Sequence, residues 1–264
     1  MTAPIVELLE LMKRLRDPLT GCPWDREQTL ESLVPHTVEE AFEVADVIER
    51  GELKELPGEL GDLLFQVVFY AQIANEQGLF DFDDVIKAIS HKLRTRHPHV
   101  FEAETFADVT ALAARWEQFK AHERQARAQG NRSSELDDVP RTLPPLSRAA
   151  KLQKRAARVG FDWASIMPIF DKIEEELIEL RQAVAENLSL AEIRSEVGDL
   201  LFAVVNAARH LGVDSESAVR GANQKFERRF RFIEESLAAQ GRTPEGTDLV
   251  ELDALWDLAK ARGL

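Results

Sequence analysis

The residues best suited to chemistry are carboxylates in a fixed spacing. Glu40 and Glu43 stand three apart, and Glu59 and Asp62 repeat that spacing further along. On a helix each pair shares one face, with Cβ atoms about 5–6 Å apart. Like charges so placed cost about 0.2–0.5 kcal/mol per pair in water, and more where the face is partly buried. The second pair runs straight into LLFQVVF, which is apolar on nearly every side and marks a core helix. Two antiparallel helices of a bundle can aim four such carboxylates at one point. Oxygen-only ligands suit a hard divalent cation, Mg²⁺ or Mn²⁺. A di-iron bundle would need Glu-x-x-His pairs, and none of the six histidines has a glutamate three residues before it.

The set occurs twice. EEAFE at 39–43 is echoed by EELIE at 175–179, and ELGDLLFQVV at 59–68 by EVGDLLFAVV at 196–205. Lys92 and Arg96 are echoed by Lys225 and Arg229, and Trp116 and Lys120 by Trp256 and Lys260. CPWD at 22–25 has a looser partner in GFDW at 160–163. A lone ExxE is an ordinary solvated helix face. Its pairing with ExxD, the adjoining apolar helix and the duplication of both argue for two copies of one fold with a cation site in each.

The elements that must position these groups are helices. Apolar residues recur every three or four positions over 5–16, 36–50, 58–77, 82–96, 109–127, 146–158, 168–186, 190–211, 214–239 and 250–261. Glycines and prolines separate these runs, no strand pattern is present, and the fold class is all-α. GNRSSELDDVPRTLPP at 130–145 is polar and without helical period, so it reads as a linker between domains at 1–129 and 146–264.

The chain has 264 residues, 44% of them hydrophobic and 30% charged, the balance of a globular protein. A net charge of −14 repels phosphate backbones, so nucleic acid is not an expected partner and phosphate chemistry would need bound cations. The lone Cys22 can form no intrachain disulfide or thiolate zinc site. No apolar run reaches the ~20 residues that span a bilayer, and the N-terminus has no signal-peptide pattern; the expected place is the cytoplasm, with no membrane partner. A GxxxxGK[ST] phosphate loop is missing, which excludes P-loop GTPase and kinase readings.

EExxE, a gap of about fifteen residues and ExxD on a helical chain resemble the MazG family of nucleoside triphosphate pyrophosphohydrolases. CPWDREQT, GELGDLLFQVVFYAQ and RHPHVF in the first half are similar to signature segments of its two-domain bacterial form. So are KLQKRAARVGFDW, EVGDLLFAVVNAARHLG and KFERRF in the second. The resemblance implies tandem helical bundles, hydrolysis of an NTP or dNTP between the α and β phosphates, Mg²⁺ dependence, and a homodimer or larger homo-oligomer. In the second half it points to Glu176, Glu179, Glu196 and Asp199 as the metal set. It also points to Trp256 and Lys260 as nucleotide contacts and to Lys172 as a phosphate contact. Trp256 would serve equally in core packing, and Lys172 equally as a solvated lysine.

Attack of water on a triphosphate needs metal ions to neutralise phosphate oxygens and fixed cations to hold the leaving group. Glu175, off the main acidic face, suits a base for that water. Lys225 and Arg229 share a face, with Arg228 beside them, and suit a phosphate clamp. Phe161 and Trp163 suit either a pocket lining or an apolar plug at a helix start, as does Trp24. The first half keeps Glu40, Glu43, Glu59 and Asp62 but has Thr95 where the second has Arg228. The C-terminal half is therefore the expected principal catalyst, and the N-terminal half a weaker site, a regulatory site or an oligomerisation surface. The alternative from another class is a helical scaffold or regulator that binds Mg²⁺ and nucleotide without cleaving.

Overall fold

The computed structural model describes residues 3–102, 115, 119 and 134–264. Most of the helix expected over 109–127, including Trp116 and Lys120, lies outside the described residues, as do linker positions 130–133. Among the described residues every regular element is helical, and the chain falls into two compact units, Met1–Ala121 and His122–Leu264.

The first unit contains α1 (Pro4–Leu15), α2 (Pro23–Glu27), α3 (Val34–Arg50), α4 (Leu56–Glu76), α5 (Phe82–Arg96) and α6 (Pro98–Phe101). Helix α4 is its axis, with α3, α1 and α5 packed against it. Met12, Leu33, Val68, Phe69 and Ile73 close the core, each 0–1% exposed. Burying such side chains contributes about 1.5–3 kcal/mol each. The short α2 and α6 lack enough residues to show a helical period, so the sequence pattern does not announce them. Pro98, without an N–H to continue the ladder, ends α5 and opens α6.

The second unit contains α7 (Pro145–Ala157), α8 (Met167–Ala185), α9 (Leu190–His210), α10 (Ser215–Ala238) and α11 (Leu249–Ala261). Helices α8 and α9 form the principal pair, α7 lies against α9, and α10 packs on α11 and α7. Ser189 starts α9 with a capping box, accepting from the Glu192 N–H while the Glu192 carboxylate accepts in return. The antiparallel turn in each unit passes through a left-handed residue, Gly51 after α3 and Asn187 after α8. Glycine and asparagine are the residue types that take this conformation most readily. These turns bring the two acidic motifs of each unit onto facing helices.

Candidate metal and nucleotide site

In the first unit one carboxylate oxygen from each of Glu40, Glu43 and Glu59 lies within 4.8 Å of the others. In the second, Glu176, Glu196 and Asp199 do the same. Each trio takes members from both antiparallel helices, α3 with α4 and α8 with α9, as the spacing requires. The fourth member of each set sits outside the trio but within electrostatic reach. With burial and Glu43, Asp62 raises the pKa of Glu40, and with burial, Glu176, Glu175 and Glu196 raise that of Glu179. Convergence is thus tighter for three carboxylates than for four, with the fourth, Asp62 or Glu179, solvent-exposed.

The electrostatics carry the mark of crowding. Burial pushes the Glu40 carboxyl above its ordinary range, Glu43 and Asp62 push it the same way, and a hydrogen bond with Gln66 opposes them. Loss of solvent, then Glu176, raises Glu179. In the second unit a resident cation relieves the repulsion. Lys172 Nζ lies 2.7 Å from Glu175 Oε1 and 2.8 Å from Glu176 Oε1, and the two carboxylates hold the ammonium well above the usual lysine range. Glu176 is only 6% exposed, so an unpaired charge there would be costly. The donor set in both trios is hard oxygen alone, on opposed helices and close enough for one ion to touch, which fits Mg²⁺ or Mn²⁺.

Beside the second trio opens a cavity of about 380 Å³. Phe161, Trp163, Phe202 and Ala203 give it a chiefly apolar wall, and Lys172, Glu176, Asp199, Asp162 and Arg209 are its charged lining. Phe161 and Trp163, ambiguous in sequence, therefore line a pocket. A polar network backs it: Asp162 Oδ1 accepts from Arg209 Nη2 at 2.6 Å and pairs with His210 Nε2 at 2.9 Å. Burial raises the Asp162 carboxyl, but the bonds to His210 and Arg209 outweigh it and hold it below the ordinary carboxylate range.

The remaining candidates form a second cluster on α10 and α11 and do not line that cavity. Trp256 is half-buried, 5.3 Å from the Phe226 ring, with the Arg229 guanidinium stacked at 5.3 Å. Arg229 Nε also donates to the Leu264 carbonyl at 2.8 Å. Lys260 pairs with Asp257 at 2.6 Å, while Lys225 and Arg228 are exposed. Trp256 is thus in part a packing residue.

Each carboxylate trio lies within a segment matched by one and the same family model. The model of the MazG nucleotide pyrophosphohydrolase domain matches residues 28–101 and again 166–231. The chain belongs to the MazG family. Both family segments contain their trio, and the second also contains Lys225, Arg228 and Arg229. The chain is 53% identical over 260 residues to the nucleoside triphosphate pyrophosphohydrolase of Escherichia coli (strain K12), covering 97% of each chain. It is 42% identical over 255 residues to the nucleoside triphosphate pyrophosphohydrolase/pyrophosphatase MazG of Thermotoga maritima, covering 96% of this chain and 94% of that one. Uncharacterized protein YabN of Bacillus subtilis is 43% identical over 250 residues, which is 95% of this chain and 50% of that protein.

Sequence reasoning in this MazG chain did not single out Gln153, Asn206 or Arg209, all of which line the second-unit cavity. Their signal lies in comparing the halves position by position. KR at 13–14 recurs as KR at 154–155, which sets Gln153 against Met12, and ELGD against EVGD sets Asn206 against Phe69.

Proposed function

We propose that the chain hydrolyses nucleoside triphosphates and deoxynucleoside triphosphates between the α and β phosphates, releasing the monophosphate and pyrophosphate. The observation that carries this reading is the trio of Glu176, Glu196 and Asp199, two of whose members, Glu176 and Asp199, line a chiefly apolar cavity of nucleoside size. Glu176, Glu179, Glu196 and Asp199 would hold Mg²⁺ or Mn²⁺, which when bound neutralises phosphate oxygens and acidifies water. Glu175 is exposed and bound to Lys172 rather than to the trio, and is the carboxylate assigned to take the proton of the attacking water at its Oε atoms. Lys172, at the seam of trio and cavity, is assigned to a phosphate oxygen. Lys225, Arg228 and Arg229 are assigned to the leaving pyrophosphate, and Trp256 and Lys260 to further substrate contacts.

The C-terminal domain at 146–264 is the principal catalyst, and the domain at 1–129, joined through 130–145, is secondary. The same four carboxylate positions in the first domain, Glu40, Glu43, Glu59 and Asp62, would bind the same metal. Association into a homodimer is supported by a repeated apolar stripe: Leu60, Leu64 and Val67 on α4, and Val197, Leu201 and Val204 on α9, each 37–51% exposed. Among the described residues no helix is long and apolar enough to cross a membrane, in keeping with a cytoplasmic enzyme.

The test is incubation of purified protein with a panel of NTPs and dNTPs, with and without Mg²⁺, and chromatography of the products. Monophosphate and pyrophosphate appearing only with metal are expected. Orthophosphate as first product would overturn the bond assigned, and intact triphosphate would favour a binding regulator instead.

A further inference from the structure

The second-unit cavity contains two buried amides that the chemistry above does not use. Gln153, 8% exposed, donates from Nε2 to the Phe202 carbonyl at 2.8 Å, and its Oε1 is buried without a hydrogen-bond partner among the described residues. Asn206, 4% exposed, accepts at Oδ1 from Arg209 Nε at 3.0 Å and Nη2 at 2.7 Å. Its amide nitrogen has no partner among the described residues. Both amide orientations are dictated by their partners: a carbonyl requires the Gln153 nitrogen, and a guanidinium requires the Asn206 oxygen. Arg209 is itself fixed by Asp162, so Asn206 is held from two residues away.

The other unit shows what this position needs for folding alone. Met12 and Phe69 occupy the corresponding places, both 0% exposed and both in the hydrophobic core. Replacing an apolar core pair by two amides, one of them with a buried unpaired oxygen at Gln153 Oε1, costs stability, since an unpartnered buried polar atom carries its full desolvation penalty. Amides at a cavity wall recover that cost when a ligand or a bound water brings the complementary groups.

We propose that Gln153 and Asn206 read the edge of the nucleobase, Gln153 Oε1 accepting from a ring or exocyclic N–H and Asn206 Nδ2 donating to a neighbouring ring nitrogen or carbonyl oxygen. This rests on the assignment of the cavity to the nucleoside. The ligand class is a nucleotide whose base presents a donor beside an acceptor. All the standard bases meet that requirement, and purine riboside, which has acceptors and no donor on its ring edge, does not. Arg209 and Asp162 are positioning residues for the pair.

The test is calorimetric binding of ATP, purine riboside triphosphate and inorganic tripolyphosphate to the full chain in Ca²⁺, with turnover in Mg²⁺ measured separately. Wild-type protein is expected to bind ATP about tenfold more tightly than purine riboside triphosphate, the effect of one hydrogen bond. Gln153→Met, which installs the residue type of the other unit, should erase that ratio and leave tripolyphosphate binding unchanged. Asn206→Leu should weaken both nucleotides by a similar factor and again spare tripolyphosphate. No wild-type discrimination, an unchanged ratio in Gln153→Met, or equal weakening of all three ligands would overturn the proposal. Failure of NTP turnover with the binding ratios as expected would overturn the enzymatic reading and leave the base-edge pair standing.

Discussion

The two units place acidic trios on equivalent helices and surround them differently. In the first, His36 stands where Lys172 stands in the second, and it approaches Glu39 only at 3.8 Å. Gln66 replaces Ala203 and reaches Glu40, while Phe69 replaces Asn206 and is wholly buried. The Trp24 ring lies 5.8 Å from His36 and 6.4 Å from Phe69 in edge-on contact, adding bulk beside the acids. Large side chains thus occupy the positions whose small or polar counterparts border a cavity in the second unit. A cavity of about 420 Å³ in the first unit is elsewhere, walled by Arg16, Arg26, Glu27 and Glu76 and by none of its trio. The lesson is that carboxylate spacing brings the acids together, whereas the residues one and two turns further along the same helix decide whether a cavity opens beside them.

The sharpest way to break this contrast is to remove carboxylates from each half. Glu196→Gln or Asp199→Asn should lower pyrophosphate release at least 100-fold, a loss of about 3 kcal/mol of transition-state stabilisation. Glu59→Gln and Asp62→Asn should lower it less than threefold, and equal losses in a steady-state assay would abolish the ranking. Next in size is the network behind the second cavity. Asp162→Asn should cost about 1–3 kcal/mol of stability, read as a lower midpoint in urea, because it strips a charge-assisted partner from Arg209 and His210.

Acid titration sharpens the comparison through opposite signs. Asp162 is held below its ordinary range, so its contribution is present above the unfolded carboxylate value and is lost as pH falls through its depressed pKa. Glu76 behaves likewise: burial raises it, and the hydrogen bonds of Arg16 and Gln72 more than reverse this. Glu40 is raised, so its contribution is present below the ordinary carboxylate value and lost as pH rises through its elevated pKa. Melting temperatures in chelator from pH 3 to 7 should therefore show Asp162→Asn flattening the acid limb, and Glu40→Gln removing a destabilisation that grows toward neutral pH. The smallest effect belongs to His36→Lys, which gives the first unit the second's resident cation. At these exposed positions the gain should be about 0.5 kcal/mol or less, visible as a slight rise in melting temperature that salt removes.

Much of this was legible in the residues. Apolar periodicity located α3, α4, α5 and α9 to within two residues, because long amphipathic helices show their period plainly. The acidic pairs were legible for the same reason, since i and i+3 on one helix are neighbours whatever the rest of the chain does. Which three of the four carboxylates would converge was not, because it depends on how two helices face each other across the turns at Gly51 and Asn187. Gln153 and Asn206 were invisible for a related reason. Within LQKRAA and VVNAAR they look like ordinary polar residues of an amphipathic helix, and only packing shows that they are buried.

The exposed stripe of Val197, Leu201 and Val204 shares α9 with Glu196 and Asp199, so the proposed homodimer contact and the proposed metal ligands would ride on one rigid rod. A shift of that rod by a fraction of an ångström when the neighbour leaves would misplace two ligands at once. Simple dilution should then act as an inhibitor: specific activity would fall with enzyme concentration, and an inert crowding agent or a higher protein concentration would restore it without any change in substrate.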